Sequence, residues 1–143
     1  MSSRVHGSAV AINGRGVLIL GASGRGKSDL ALRLIDRGAV LIADDQVALT
    51  PRAGLLQADA IATIHGKLEV RGLGIVDLDD AGPAPIALVV DLDGVPERLP
   101  EARMLDLAGI ALPVIALPPF DASTPLKVEL ALKRFGLPLE GRP

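Results

Sequence analysis

The segment Gly21-Ala22-Ser23-Gly24-Arg25-Gly26-Lys27-Ser28 matches the pattern G-x-x-x-x-G-K-[ST], and it sits between the apolar run Val17–Leu20 and a segment of helical period. A loop of this kind needs a strand to deliver it and a helix to receive it, so the chain around it has to be α/β. Its glycines let the backbone curl until several N–H groups face inward, forming a nest for phosphate oxygens at the positive end of the following helix. Lys27 adds a point charge for the β and γ phosphates, and the Ser28 hydroxyl can sit on a magnesium ion that bridges them. The motif therefore points to ATP and Mg2+, with residues Gly21 through Ser28 as the nucleotide-binding set. It leaves the reaction open.

The flanking sequence sets the local frame. Val5–Ile12, the Asn13-Gly14 pair and Val17–Leu20 read as a hairpin, because Asn-Gly tolerates the positive φ angles of a tight turn. From Ser28 to about Arg37, Leu30, Leu34 and Ile35 mark one apolar helix stripe, with Gly38 suited to end it. Ala39–Ala43 follows as a buried strand. Pro51, Gly54, Gly66, Gly72 and Gly74 break the middle of the chain into short strands and turns, of which Lys67–Val70 and Gly74–Leu78 stand out. The continuous apolar run Ile86–Leu92 has the character of a strand buried on both faces. Arg98–Leu107 reads as a helix candidate and Val114–Leu117 as a short strand fenced by prolines. In the last helix Thr124 is taken as the N-cap, Pro125 as the first helical position, Glu129 and Lys133 as an i,i+4 pair, and Gly136 as the end.

Composition narrows the partners. With 143 residues the chain has the length of one domain, expected over 1–143. Almost half of it is apolar, yet its only aromatic residues are two Phe, so the core must be aliphatic and there is no Trp or Tyr to stack the bases of a nucleic acid. A net charge of -2 with mixed signs provides no basic face for a phosphate backbone. The absence of Cys excludes thiolate metal sites and cysteine nucleophiles. The N-terminus lacks an apolar signal core and no stretch has membrane-spanning length, so the expectation is a cytoplasmic protein with no membrane or nucleic-acid partner.

Phosphoryl transfer also needs a group to take the proton of the attacking hydroxyl and a second anchor for the metal. Asp44 and Asp45 end the strand after the helix and should lie at the same sheet edge as the phosphates; strand alternation lets only one of them face the site directly. Asp91, after Ile86–Val90, has the form of a Walker B aspartate. Glu69 and Asp77 are further candidates. Spacing alone does not choose among these acids.

Taken in order, Val5-His6-Gly7, the phosphate loop, Ala43-Asp44-Asp45 and Leu68-Glu69-Val70-Arg71-Gly72-Leu73-Gly74-Ile75-Val76-Asp77 resemble the motifs of the HPr kinase/phosphorylase family. The resemblance implies a serine kinase acting on the phosphocarrier protein HPr of the phosphotransferase system, and a phosphoenolpyruvate-carboxykinase-like α/β fold: a P-loop-containing mixed sheet with flanking helices. By the same resemblance Asp45 is the proton acceptor, His6 and Lys27 are active-site residues, Arg71 belongs to the signature, and Arg98 is the nearest match to a further catalytic arginine. Ser28 and Glu69 inherit the metal, which leaves Asp91 as a residue of a core strand. His65 matches no role and reads as structural. The family's usual members carry an additional N-terminal domain, so the expectation is a catalytic core alone, in a homo-oligomer that in the family is a hexamer. The family's arginine-containing loop before the last helix, linked to dephosphorylation by phosphorolysis, is replaced here by Phe120-Asp121-Ala122-Ser123-Thr124-Pro125, with Lys127 as a substitute charge. Two alternatives keep the ATP site: a small-molecule kinase or ATPase in which Asp45 positions water, and an ATP-binding regulatory module.

Overall fold

A computed structural model describes residues 3–138; the remainder of the expected 1–143 domain, Met1, Ser2 and 139–143, lies outside the described residues. The strand that delivers the phosphate loop arrives by a hairpin. β1 (Ser3–His6) leads to β2 (Ser8–Ile12), which pairs antiparallel with β3 (Arg15–Leu20) so that Ile12 faces Arg15. Between them Asn13 and Gly14 have φ of 52° and 84°, the two left-handed residues of a type I′ turn. Past the loop, α1 (Lys27–Asp36) buries Leu30, Ala31 and Leu34. It ends where the amides of Gly38 and Ala39 close on the carbonyls of Ile35 and Leu34, with Gly38 at φ 110°. β4 (Val40–Ala43) then returns beside β2.

The β-rich middle resolves into β5 (Gln46–Arg52), β6 (Leu55–Ala60), a short 3-10 turn at Ala62–Ile64, β7 (Lys67–Val70) and β8 (Gly74–Asp77). β9 (Ala84–Asp91), β10 (Arg103–Leu107), β11 (Ile110–Ala116) and α2 (Thr124–Phe135) complete the chain. The main sheet runs β1-β5-β6-β9-β3-β2-β4, with β11 also beside β9 and β10 at its outer edge, while β7 and β8 form a separate pair. The β3–β9 and β9–β11 pairings are parallel and the other strand pairings are antiparallel, so the sheet is mixed as expected.

Alternation along the central strands builds two cores. Val17 and Ile19 of β3, with Leu88 and Val90 of β9, face α1 and α2; Leu68 of β7 joins them. Leu18 and Val89 face the other way, against Val47, Leu49, Leu56 and Ala58 of the strands that continue past β9. Both faces of β3 and β9 are thereby buried, which explains their unbroken apolar runs. The carboxyl ends of β3 and β9 open toward the phosphate loop.

Three readings are corrected. Arg98–Leu107 contains no helix: residues 103–107 form β10, paired with β11 across Ala108-Gly109, whose φ of 51° and 84° repeat the I′ geometry. Leu, Met and Arg favour helix intrinsically, but pairing with β11 and the Gly109 amide held by Asp106 Oδ1 at 3.1 Å override that preference. Second, Ser123 is the N-cap residue of α2 and Thr124 lies one position inside it. Thr124 is fully buried, and its hydroxyl donates to the Pro118 carbonyl at 2.6 Å, tying the 118–124 connection together. Third, Glu129 reaches across to Arg37 of α1 with two bonds of 2.9 Å, a fork-to-fork geometry that Lys133 does not share.

The Thr124 contact makes a testable point. Thr124→Val keeps the shape and removes the donor, leaving a carbonyl without its partner, and is expected to cost about 1–2 kcal/mol. Urea unfolding checks this: the midpoint should fall with no change in slope.

Candidate active site

Strand ends and turns converge on one cavity of about 480 Å3. Ser23, Gly24, Gly26, Lys27 and Ser28 line it from the phosphate loop, His6 from the end of β1, Asp44 and Asp45 from the turn after β4, and Glu69 and Arg71 from the β7–β8 hairpin. Residues far apart in sequence thus meet at one sheet edge.

The loop adopts the curled path its glycines permit. Gly24 and Gly26 have φ of 81° and 91°, a region costly for other residues, and the Arg25 amide closes on the Ala22 carbonyl at 3.1 Å. Lys27 is 7% exposed; its ammonium donates to the carbonyls of Gly21 at 2.8 Å and Ala22 at 3.0 Å, held across the mouth of its own loop. Gly21, Ala22 and Arg25 frame the loop without lining the cavity. The Arg25 guanidinium turns away to Asp93 Oδ1 at 3.1 Å, and Asp93 Oδ2 takes the Ala22 amide at 2.8 Å.

Asp44 is the hub. Its Oδ1 accepts the hydroxyls of Ser8 at 2.6 Å and Ser28 at 2.7 Å, and its Oδ2 accepts the Glu69 amide at 3.3 Å. One buried carboxylate therefore joins β2, the start of α1 and β7 around the position of the Ser28 oxygen. The expectation that only one of Asp44 and Asp45 faces the site is corrected, since both line it. The strand ends at Ala43 and Asp45 has φ of 70°, so pleat alternation no longer applies; the Gln46 amide turns back to the Asp44 carbonyl at 2.8 Å. The Asp45 carboxylate is exposed and lies 3.5 Å from His6 Nδ1. Gly7, whose amide donates to the Asp45 carbonyl, brings these two together: a Cβ there would lie 2.7 Å from the Ile19 carbonyl oxygen.

Ser28 and Glu69 supply hard oxygen donors, the chemistry magnesium takes, and Asp44 steadies the serine between them. Among the described residues no three acidic or histidine side chains gather into a ready-made cage.

The remaining candidates lie elsewhere. Arg98 sits in an exposed segment between β9 and β10 and does not line the cavity. Asp91 is spent on its own turn, accepting the amides of Asp93 at 2.9 Å and Gly94 at 3.1 Å. Asp77 is hydrogen-bonded to Lys67 at 2.6 Å; that bond and the ammonium charge hold its carboxyl below the usual aspartate range. His65 pairs with Asp80 at 2.8 Å, and Lys127 is exposed on α2 away from the cavity. Sequence reasoning missed Asp93, Ser8 and Phe120. Asp93 and Ser8 are isolated polar residues whose partners come from other elements; Phe120, a lone aromatic between prolines and a polar turn, carried the clearer signal.

Comparison with known proteins bears on the family and the fold. Residues 1–82 match the family model described as HPr Serine kinase C-terminal domain. An HPr kinase/phosphorylase of Clostridium novyi is 47% identical over 76 residues, 53% of this chain and 25% of the relative. One from Chloroherpeton thalassium is 35% identical over 127 residues, 79% of this chain and 37% of the relative. The chain thus spans between a quarter and just over a third of these relatives' length. A solved HPr(Ser) kinase/phosphatase from Coxiella burnetii superposes with a TM-score of 0.79 at 28% identity, covering 92% of this chain and 95% of that one. With the family model matching more than half of the sequence, and a solved HPr(Ser) kinase/phosphatase sharing the fold over 92% of the chain, this chain belongs to the HPr serine kinase C-terminal domain family.

Proposed function

We propose that the chain is the catalytic core of an ATP-dependent kinase that phosphorylates a serine of HPr. The observation that carries the reading is the shared cavity, in which the phosphate loop, the Asp44-steadied Ser28 and the exposed Asp45 carboxylate face the same space. Loop amides and Lys27 bind the triphosphate. Ser28 and Glu69 hold Mg2+, which when bound neutralises charge on the phosphate oxygens.

The seryl oxygen of HPr attacks the γ-phosphorus, the bond to the β–γ bridging oxygen breaks, and ADP leaves. Asp45 takes the seryl proton, and its exposure leaves room for a protein hydroxyl to approach. His6, 3.5 Å away, orients that carboxylate. Arg71, on the turn of the β7–β8 hairpin, reaches the cavity from the side an incoming protein would cover. Dephosphorylation by phosphorolysis belongs to the same proposal as its reverse; Phe120–Pro125 brings no arginine to hold the inorganic phosphate and Arg33 beside it is engaged by backbone carbonyls, so the forward direction is the better supported. A homo-oligomer belongs to the same proposal.

The test is incubation with ATP labelled at the γ position, Mg2+ and purified HPr. Label on HPr that requires the chain and the metal supports the reading. Label released only as inorganic phosphate would favour an ATPase, and binding without turnover a regulatory module.

A further inference from the structure

One aromatic ring stands at the cavity, and the phosphate-binding scheme does not use it. Phe120 lines the space yet is 63% exposed. Its edge lies so close over Gly26 that a Cβ on that glycine would come within 2.7 Å of the ring. The chain's other aromatic, Phe135, packs against the helix-side core instead.

A large apolar group facing water is normally free to swing, but this one is set on a rigid mount. Arg33 of α1 donates to the carbonyls of Pro119 at 2.5 Å and Asp121 at 3.1 Å, on either side of Phe120, while its Nε is held by Asp29 at 3.0 Å. The Thr124 hydroxyl and amide fix Pro118 and Asp121 from the other end. The backbone around the ring is therefore ordered before any ligand arrives.

The ring's place relative to the loop is informative. Ser28 faces Asp44, so the transferable phosphate and its acids lie on that flank of the helix start. Arg33 and Asp29 carry Phe120 on the other flank, with Gly26 between. With the γ end of a triphosphate at Asp44 and Asp45, the ring over Gly26 borders the part of the cavity left for its nucleoside. The base is the one flat, apolar part of that ligand, and an exposed aromatic face matches it.

We propose that Phe120 is the platform on which the purine base of the bound nucleotide stacks, and that Arg33 positions it. This rests on the nucleotide reading of the site and adds its base subsite. The test compares Mg2+-ATP with inorganic tripolyphosphate by titration calorimetry, on the wild-type chain and on Phe120→Ala and Phe120→Tyr. Removal of the ring is expected to weaken ATP about 10-fold, as loss of one base–aromatic stack does, and to leave tripolyphosphate unchanged. Tyr should keep ATP affinity. Equal losses for both ligands, or none for either, would overturn the platform, while binding of both ligands to the wild-type chain would still uphold the phosphate site. A wild-type chain that binds neither ligand would bring down the nucleotide reading and the platform with it.

Discussion

Asp45→Asn is expected to lower phosphate transfer to HPr by about 10²–10⁴-fold, the usual contribution of a positioned general base, while ATP affinity changes by less than about a factor of two. The amide keeps the size and the turn of the aspartate but cannot accept a proton from serine. Because Asp45 lines the cavity without a hydrogen bond to the phosphate loop, its loss should leave the nucleotide where it was. Single-turnover transfer with saturating ATP, alongside calorimetry, separates the two quantities. A variant that still transfers phosphate at the wild-type rate would remove Asp45 from the chemistry and direct attention to Asp44 or Glu69.

Lys27→Met should give the opposite pattern. Its ammonium is buried against two carbonyls at the loop mouth, so the charge is already desolvated and placed, and phosphate oxygens gain an interaction that water cannot replace. Losing charge-assisted bonds of this kind is expected to weaken ATP by about 10²-fold. Met preserves the length of the stem, so the fold should persist; circular dichroism verifies this. Calorimetry would contradict the placement if the affinity for ATP were retained. Together the two variants divide the cavity into a binding half and a transfer half.

Much of this site could be read from residue order because its parts are local. The phosphate loop is eight consecutive residues whose glycines dictate the backbone, and Asn13-Gly14 announces the hairpin that delivers it. The apolar runs Ala39–Ala43 and Ile86–Leu92 announced the strands that form at Val40–Ala43 and Ala84–Asp91. What escaped depended on partners distant in the chain. β5 and β6 are joined by Ala53-Gly54 and β10 and β11 by Ala108-Gly109, both with the φ pattern of Asn-Gly but without its sequence signal. Pro51 and Pro113 read as strand breakers, yet each sits in a strand where pairing with the second neighbour has stopped or not begun.

The acids illustrate the same limit. Asp44, Asp45, Asp77 and Asp91 were alike as letters and differ by what surrounds them. Asp44 gathers two serines and an amide, Asp91 caps its own turn, Asp77 is paired with Lys67, and of the acids weighed from the sequence Asp45 and Glu69 present exposed carboxylates to the cavity. Resemblance to a family selected Asp45; pairing rules, applied to a residue already beyond its strand, misjudged how the two neighbours share the space.

The central claim is that a triphosphate, its divalent ion and Asp45 occupy one cavity. The direct measurement is a crystal structure of the chain with Mn2+ and a non-hydrolysable ATP analogue, using manganese anomalous scattering to place the ion. The account predicts an anomalous peak between Ser28 and Glu69, and a γ-phosphate between Lys27 and Asp45. A peak away from Ser28 and Glu69, or an analogue bound away from Gly24–Ser28, would contradict it.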